Sequence, residues 1–180
     1  MKLKSLLVST SLGLIVLSFS GISHAEGIFG GLFGGERSPG VAPVENQTYI
    51  DECGGCHFPY QPGLLPARSW EKLMSSLDDH FGENAELDAE TLKELTQYAV
   101  ANAADHSRFK RSVKIMRSLR DSDTPLRITK TRYIINKHDE LSARDITANP
   151  KVKSLSNCQA CHARPETGSF SEDDVRIPRS

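Results

Sequence analysis

Cys53-Gly54-Gly55-Cys56-His57 recurs in form as Cys158-Gln159-Ala160-Cys161-His162 near the other end of the chain, and together they use all four cysteines. Two thiols with two residues between them sit about one helical turn apart. Each can then form a thioether with one vinyl group of a haem, and the following histidine is placed to ligate the iron. This is the c-type haem attachment pattern. C-x-x-C also marks zinc ribbons and thiol redox sites, but paired zinc knuckles stand about 15 to 20 residues apart, and here most of the mature chain lies between them. A disulfide framework leaves unexplained why a histidine follows each pair directly. The sequence therefore predicts two covalently attached haem c groups, bound through Cys53, Cys56, Cys158 and Cys161, with His57 and His162 as proximal ligands.

Residues 1–25 read as a secretory signal. Lys2 and Lys4 form the positive start, an apolar run extends from Leu6 to Phe19, and Ser23-His24-Ala25 is a small-ended cleavage site. The run is interrupted by Ser9, Thr10, Ser11 and Ser18 and falls short of the roughly 18 residues of a membrane span. No other stretch could span a membrane. The expected location is the periplasm, which excludes nucleic acid as a partner, and His24 leaves with the signal. Residues 26–43, rich in glycine and without helical or strand period, are expected to form a flexible leader. The remainder, about 135 residues, suits a first haem domain at 44–105 and a second at 106–180. Hydrophobic residues make up 38% of the whole chain, and the signal takes a generous share. The mature core is lean, and a buried porphyrin per half would supply apolar surface that the side chains do not.

Apolar positions recur at three and four residues, so the fold class expected is mainly α, a small helical protein organised by haem. The first helix should run from Val44 to Cys56. After the Gln61-Pro62-Gly63-Leu64-Leu65-Pro66 break, a second should span Ala67 to Phe81, with Trp70, Leu73, Met74 and Leu77 on one face and Gly82 as its stop. His80 falls on that face. A third helix, running to about Ala104, is signalled by Asp88 as N-cap, Leu87 and Leu92 as a hydrophobic staple, and a stripe of Leu92, Leu95, Tyr98, Ala99 and Ala103. Met74, Met116 and Trp70 read as core filling. A short segment from Thr131 to about Lys137 leads to His138, Ser156 is placed to cap a helix holding Cys158, Cys161 and His162, and the tail from Pro165 looks loop-like.

The formal net charge of −1 conceals a dipolar molecule. Residues 51 to 105 are rich in Asp and Glu, whereas Arg108, Lys110, Arg111, Lys114, Arg117, Arg120, Arg127, Lys130, Arg132 and Lys137 face chiefly Asp121 and Asp123. Such a band solvates a helix, steers an acidic partner or neutralises haem propionates.

The order of ligand, second histidine and amphipathic helix loosely resembles a class I cytochrome c, with His80 in place of the usual methionine and a short interval after His57. More specifically, the chain resembles the bacterial periplasmic dihaem cytochrome c family. The resemblance rests on Cys53-Gly54-Gly55-Cys56-His57, Gly63-Leu64-Leu65-Pro66-Ala67-Arg68-Ser69-Trp70, His80-Phe81-Gly82-Glu83-Asn84, Asn102-Ala103-Ala104-Asp105, Arg127-Ile128-Thr129 and Lys137-His138-Asp139-Glu140. It implies an electron carrier with two bis-histidine irons, a first half like cytochrome c and an irregular helical second half wrapped around the other haem. It also implies redox protein partners, namely a small oxygen-binding monohaem cytochrome and a membrane cytochrome b.

Once His24 is gone, His80, His106 and His138 supply two distal places. His80 is assigned to the first iron by its helix face and by its likeness to the family's His-Phe-Gly-Glu run. For the second, His138 follows an apolar segment and is similar to the family's distal position. His106 continues the stripe of the third helix in a polar setting and stands as the alternative. Two saturated irons can cycle between Fe(III) and Fe(II) with no open site, which favours electron transfer and no enzymatic activity. The competing class is a haem enzyme or gas sensor, peroxidase-like, with one open iron.

Overall fold

The structure, a computed structural model, describes residues 39–179; the expected signal and the leader up to residue 38 lie outside that range. Five α-helices, α1 (Gln47–Gly54), α2 (Ala67–Met74), α3 (Ala89–Ala101), α4 (Lys110–Ser118) and α5 (Arg132–Lys137), alternate with short 3₁₀ turns. Among the described residues there are two isolated β-bridges and no strand. The mainly α expectation holds, though the helices are shorter than their apolar periods suggested.

Side-chain hydrogen bonding explains the trimming. Asn46 accepts from the Tyr49 amide at 2.7 Å, which starts α1 at Gln47 rather than at Val44. The helix ends at Gly54, so Cys53 is helical while Cys56 and His57 lie in the turn beyond. α2 stops at Met74, well before the expected Phe81. There the Ser75 and Ser76 hydroxyls donate to the Lys72 carbonyl at 2.9 and 3.0 Å, drawing the backbone out of the helix, and a 3₁₀ turn at Leu77–Asp79 follows. α3 matches its signals best. Asp88 caps it by accepting from the Glu90 and Thr91 amides, and Leu87 and Leu92 both pack on the core beneath.

α2 packs against α3, and their apolar faces, with Tyr49 and Leu65, make the main core of Tyr49, Leu65, Trp70, Leu73, Met74, Leu95, Ala99 and Ala103. Trp70 and Met74 are buried as expected and Met116 is half-buried. The segment from Gln61 to Pro66 is a buried loop, not a surface break. Its carbonyls are satisfied from outside: Trp70 Nε1 donates to Pro62 O at 2.8 Å and the Ala104 amide to Leu65 O at 2.9 Å. A smaller cluster of Val41, Leu64 and Ile115 joins this loop to α4.

Val41 is fully buried. The Gly40 amide donates to Gly168 O at 2.8 Å and the Arg111 amide to Gly40 O at 2.9 Å, so the residues just before Pro43 belong to the packed body rather than to a loose leader.

Beyond α5 the chain is built of turns. The helix expected around Cys158 is a 3₁₀ turn, Cys158–Ala160, preceded by Asn157; Ser156 gives it no side-chain cap, since the Ser156 carbonyl instead accepts the Cys158 amide at 2.9 Å. Pro165–Thr167 and Glu172–Asp174 are further 3₁₀ turns in a tail that is tied down rather than loose. Gln61 Nε2 donates to Pro165 O at 2.5 Å, buried Asn149 donates to Pro178 O at 2.8 Å, and the Arg176 amide donates to Cys161 O at 2.8 Å. No described helix is long and apolar enough to cross a membrane.

Candidate haem sites

In the first half, the end of α1 presents Cys53, and the turn after it presents Cys56 and His57. His57 Nδ1 donates to the Phe58 carbonyl at 2.8 Å, which fixes the tautomer and leaves Nε2 with its lone pair for a metal. The His80 ring lies nearly parallel to that of His57, with centroids 6.1 Å apart and planes at 23°.

His80 reaches this place by a route its helical spacing does not describe. The periodicity put it on the face of α2 with Leu73 and Leu77, but α2 has ended by Met74. Instead His80 opens a tight reversal: its amide donates to Glu83 O at 2.8 Å, and the central residues Phe81 and Gly82 have φ of 63° and 102°. Two successive positive φ values are the signature of a type I′ turn. Gly82 takes this conformation freely, whereas at Phe81 it costs roughly 1 kcal/mol or more. The Phe81 ring meets two partners, with the Arg127 guanidinium 3.8 Å from its centroid and His80 at 4.8 Å.

In the second half, His138 follows α5 directly and its Nδ1 donates to Ile134 O at 2.8 Å, again leaving Nε2 free. Its ring centroid is 6.2 Å from that of His162, with planes at 77°. His162 follows Cys161, and Phe170 packs edge-on against it at 5.2 Å. The structure thus brings His57 to His80 and His138 to His162. His106 is exposed in the 3₁₀ turn Ala104–His106 after α3.

The chemistry of these side chains suits haem better than the alternatives. Burial, then His57 and Arg127, hold His80 below its ordinary pKa, and burial, then His138 and Arg111, push His162 down to about 4. Both are therefore neutral at pH 7, as a metal ligand must be. Burial pushes the Cys53 and Cys158 thiols up to about 11, which makes them poor thiolates for disulfide exchange. Among the described residues no three His, Cys, Asp or Glu side chains gather as a metal cage, so the two C-x-x-C pairs do not build a shared zinc site. Buried Nδ1 atoms of His80 and His162 lack hydrogen-bond partners, the one polar mismatch in each pair. A cavity of about 280 Å³ lies beside His80, lined by Leu73, Leu126 and Phe81 as well as Ser76 and Asp79.

Sequence reasoning did not single out the carbonyls of Phe58 and Ile134, or Phe81, Arg127 and Phe170, as parts of the sites. Phe81 and Arg127 stand in two of the runs that carry the family resemblance. The backbone carbonyls leave no mark in sequence at all.

Comparison with known proteins gives the family. The family model described as dihaem cytochrome c matches residues 49–170. A solved diheme cytochrome c from Rhodobacter sphaeroides is 44% identical, with 72% of this chain and 100% of that one covered and a TM-score of 0.65. A diheme cytochrome type c from Shewanella baltica OS155 is 38% identical over 74% of this chain and 93% of that one, with a TM-score of 0.61. A second Rhodobacter sphaeroides structure gives 41% identity, coverage of 71% and 99%, and a TM-score of 0.57. No curated protein matches. Two thiol pairs each followed by a histidine, in a fold shared with solved dihaem proteins, place this chain in the dihaem cytochrome c family, with covalent haem c at Cys53/Cys56 and at Cys158/Cys161.

Proposed function

We propose that the protein is a periplasmic single-electron carrier whose two haem irons are each closed by two histidines, His57 with His80 and His138 with His162. The observation that carries this reading is the spacing of the two ring pairs, 6.1 and 6.2 Å between centroids. An imidazole nitrogen bonds a transition metal at about 2 Å and its ring centroid lies about 1.1 Å further out, so two imidazoles facing across one iron have centroids roughly 6 Å apart. Haem supplies one-electron Fe(III)/Fe(II) chemistry when bound.

The chain's own residues hold and tune it. The cysteines anchor each group, the Phe58 and Ile134 carbonyls aim His57 and His138, and Phe81 and Phe170 pack against the rings of His80 and His162. Histidine in place of methionine at the distal position lowers the potential. With no coordination place left, neither site takes oxygen or peroxide, which argues for transfer rather than catalysis. Redox proteins are the partners of this reading, among them the small oxygen-binding monohaem cytochrome and membrane cytochrome b that the family resemblance implied. The exposed basic residues between Arg108 and Lys137 would steer an acidic one.

Carbon monoxide tests the ligand set. The reduced native protein should stay low-spin and bind none. His80→Ala and His138→Ala should each open one iron to it, while His106→Ala should leave both haems closed. A native protein with a high-spin haem that turns over peroxide would sink the carrier reading.

A further inference from the structure

Tyr60 connects the two haem motifs, packing on His57 and reaching Ser156, two residues before Cys158. Its ring centroid is 5.0 Å from that of His57, with planes only 32° apart, and its hydroxyl donates to the Ser156 carbonyl at 2.6 Å. That same carbonyl oxygen accepts the Cys158 amide at 2.9 Å and lies 3.5 Å from Cys158 Sγ. The position is held from several sides: Tyr49 OH donates to the Tyr60 carbonyl at 2.8 Å, Phe58 meets the ring edge-on at 5.7 Å, and the ring packs on the cluster of Val41, Leu64 and Ile115. Other contacts cross between the halves, notably Gln61 to Pro165 and Gly40 to Gly168. Those begin at no motif histidine and end at no motif cysteine.

We infer that Tyr60 is the positioning residue through which the two haems exchange electrons, along the path from the His57 imidazole through the Tyr60 ring and hydroxyl to Ser156 O and the Cys158 backbone. The inference rests on the electron-carrier reading above. Electronic coupling falls steeply across empty space and more slowly through covalent and hydrogen bonds. The path has one ring-to-ring contact and two hydrogen bonds, from the Tyr60 hydroxyl and from the Cys158 amide to the same Ser156 oxygen, between the proximal ligand of the first iron and the attachment residue of the second haem. The bond to the Cys158 amide persists when Sγ becomes a thioether. In the step itself, Fe(II) of one haem gives one electron and becomes Fe(III), while Fe(III) of the other takes it and becomes Fe(II). Tyr60 gains and loses neither an electron nor a proton.

Spatial intermediacy alone is not coupling, so the test must measure the exchange. In the half-reduced holoprotein, exchange cross-peaks between haem methyl resonances give the inter-haem rate, and redox titration gives both midpoint potentials. Tyr60→Phe keeps the ring and its packing and removes only the hydroxyl. It should slow the exchange several-fold, with both haems still low-spin and the potentials unmoved; Tyr60→Leu, which also removes the ring, should slow it further. The Tyr60 ring protons of the oxidised native protein should carry a paramagnetic shift that vanishes on reduction. A Tyr60→Phe rate equal to the native one, or slowed only as far as an altered gap between potentials accounts for, overturns the inference. Neither of those outcomes touches the carrier reading, which fails separately if the native protein shows an open iron.

Discussion

The two haem sites are alike in their Cys-x-x-Cys-His motifs and unlike in what surrounds them. Around the first, α1, α2 and α3 close a core of eight buried side chains, from Tyr49 to Ala103. Among the described residues after Asp105, only Ile115 and Val152 are buried hydrophobic side chains. The second site is instead held by turns and polar clips: Asn149 fixes Lys151 and Pro178, Thr131 Oγ1 donates to Ile128 O at 2.8 Å, and Arg176 and Val175 pair with the Cys161–His162 strand of chain. The first half owns a core of its own, whereas the second contributes few buried apolar side chains. A short segment without enough apolar surface needs a prosthetic group or a covalent staple to fold, and here it has both.

The largest expected effect follows from that contrast. Replacing Cys158 and Cys161 by Ala should lower the mass by one haem and abolish amide-exchange protection across residues 140–175. Replacing Cys53 and Cys56 should also lose one haem, yet leave protected amides in α2 and α3, because Leu95 and Ala99 remain buried against Leu73 and Met74. Protection that survives at 140–175 without the second haem, or collapses in α3 without the first, would invert the comparison.

A smaller effect should come from the seam between the halves. Gly168 has φ of 74°, and a Cβ there would run into the Val41 carbonyl. Gly168→Ala combines left-handed strain with a steric clash and should cost about 1–3 kcal/mol. Gly82, with φ of 102°, has open space around its missing Cβ. Gly82→Ala should therefore cost only its conformational strain, roughly 1 kcal/mol. Guanidinium unfolding midpoints of the two variants check the ranking, and equal losses would mean that the seam carries no special load.

Much of the first half was legible from sequence because its signals are local. Asp88, Leu87 and Leu92 specify the start of α3 through groups within one turn of each other, and the structure obeys them. The end of α2 was misread because Ser75 and Ser76 hydroxyls compete for the Lys72 carbonyl, an effect that apolar spacing does not register. His80 was thus placed near the haem for a reason that does not operate: a reversal with Phe81 at positive φ, not a helix face, aims its ring. In the second half the motif itself was plain, but a 3₁₀ turn stands where a capped helix was expected. Its geometry is set by distant partners such as Tyr60 at Ser156 and Gln61 at Pro165, which no window of neighbouring residues contains.

The smallest effect concerns the best-signalled helix and isolates the first half from the second. Asp88 Oδ1 accepts from the Glu90 and Thr91 amides, each at 3.0 Å. Hydrogen bonds from Thr91 foremost, and then from Glu90, hold its carboxyl below the ordinary carboxylate value of 3.8. A depressed folded pKa means that the charged form is the one the native state prefers, so this contribution to stability is fully present above the unfolded value. It is lost as pH falls through the lower folded value. Asp88→Ala should therefore lower the thermal midpoint slightly at neutral pH, and the gap from native should close as acid protonates the native cap. Asp88→Asn keeps an acceptor for the amides without the titration, so its small offset should not vary over the same range. Because the cap sits on α3 and far in sequence from the second motif, amide protection at residues 140–175 should not change in either variant. A gap for Asp88→Ala that stays constant down through the carboxylate range would show that the cap acts through shape alone and not through charge.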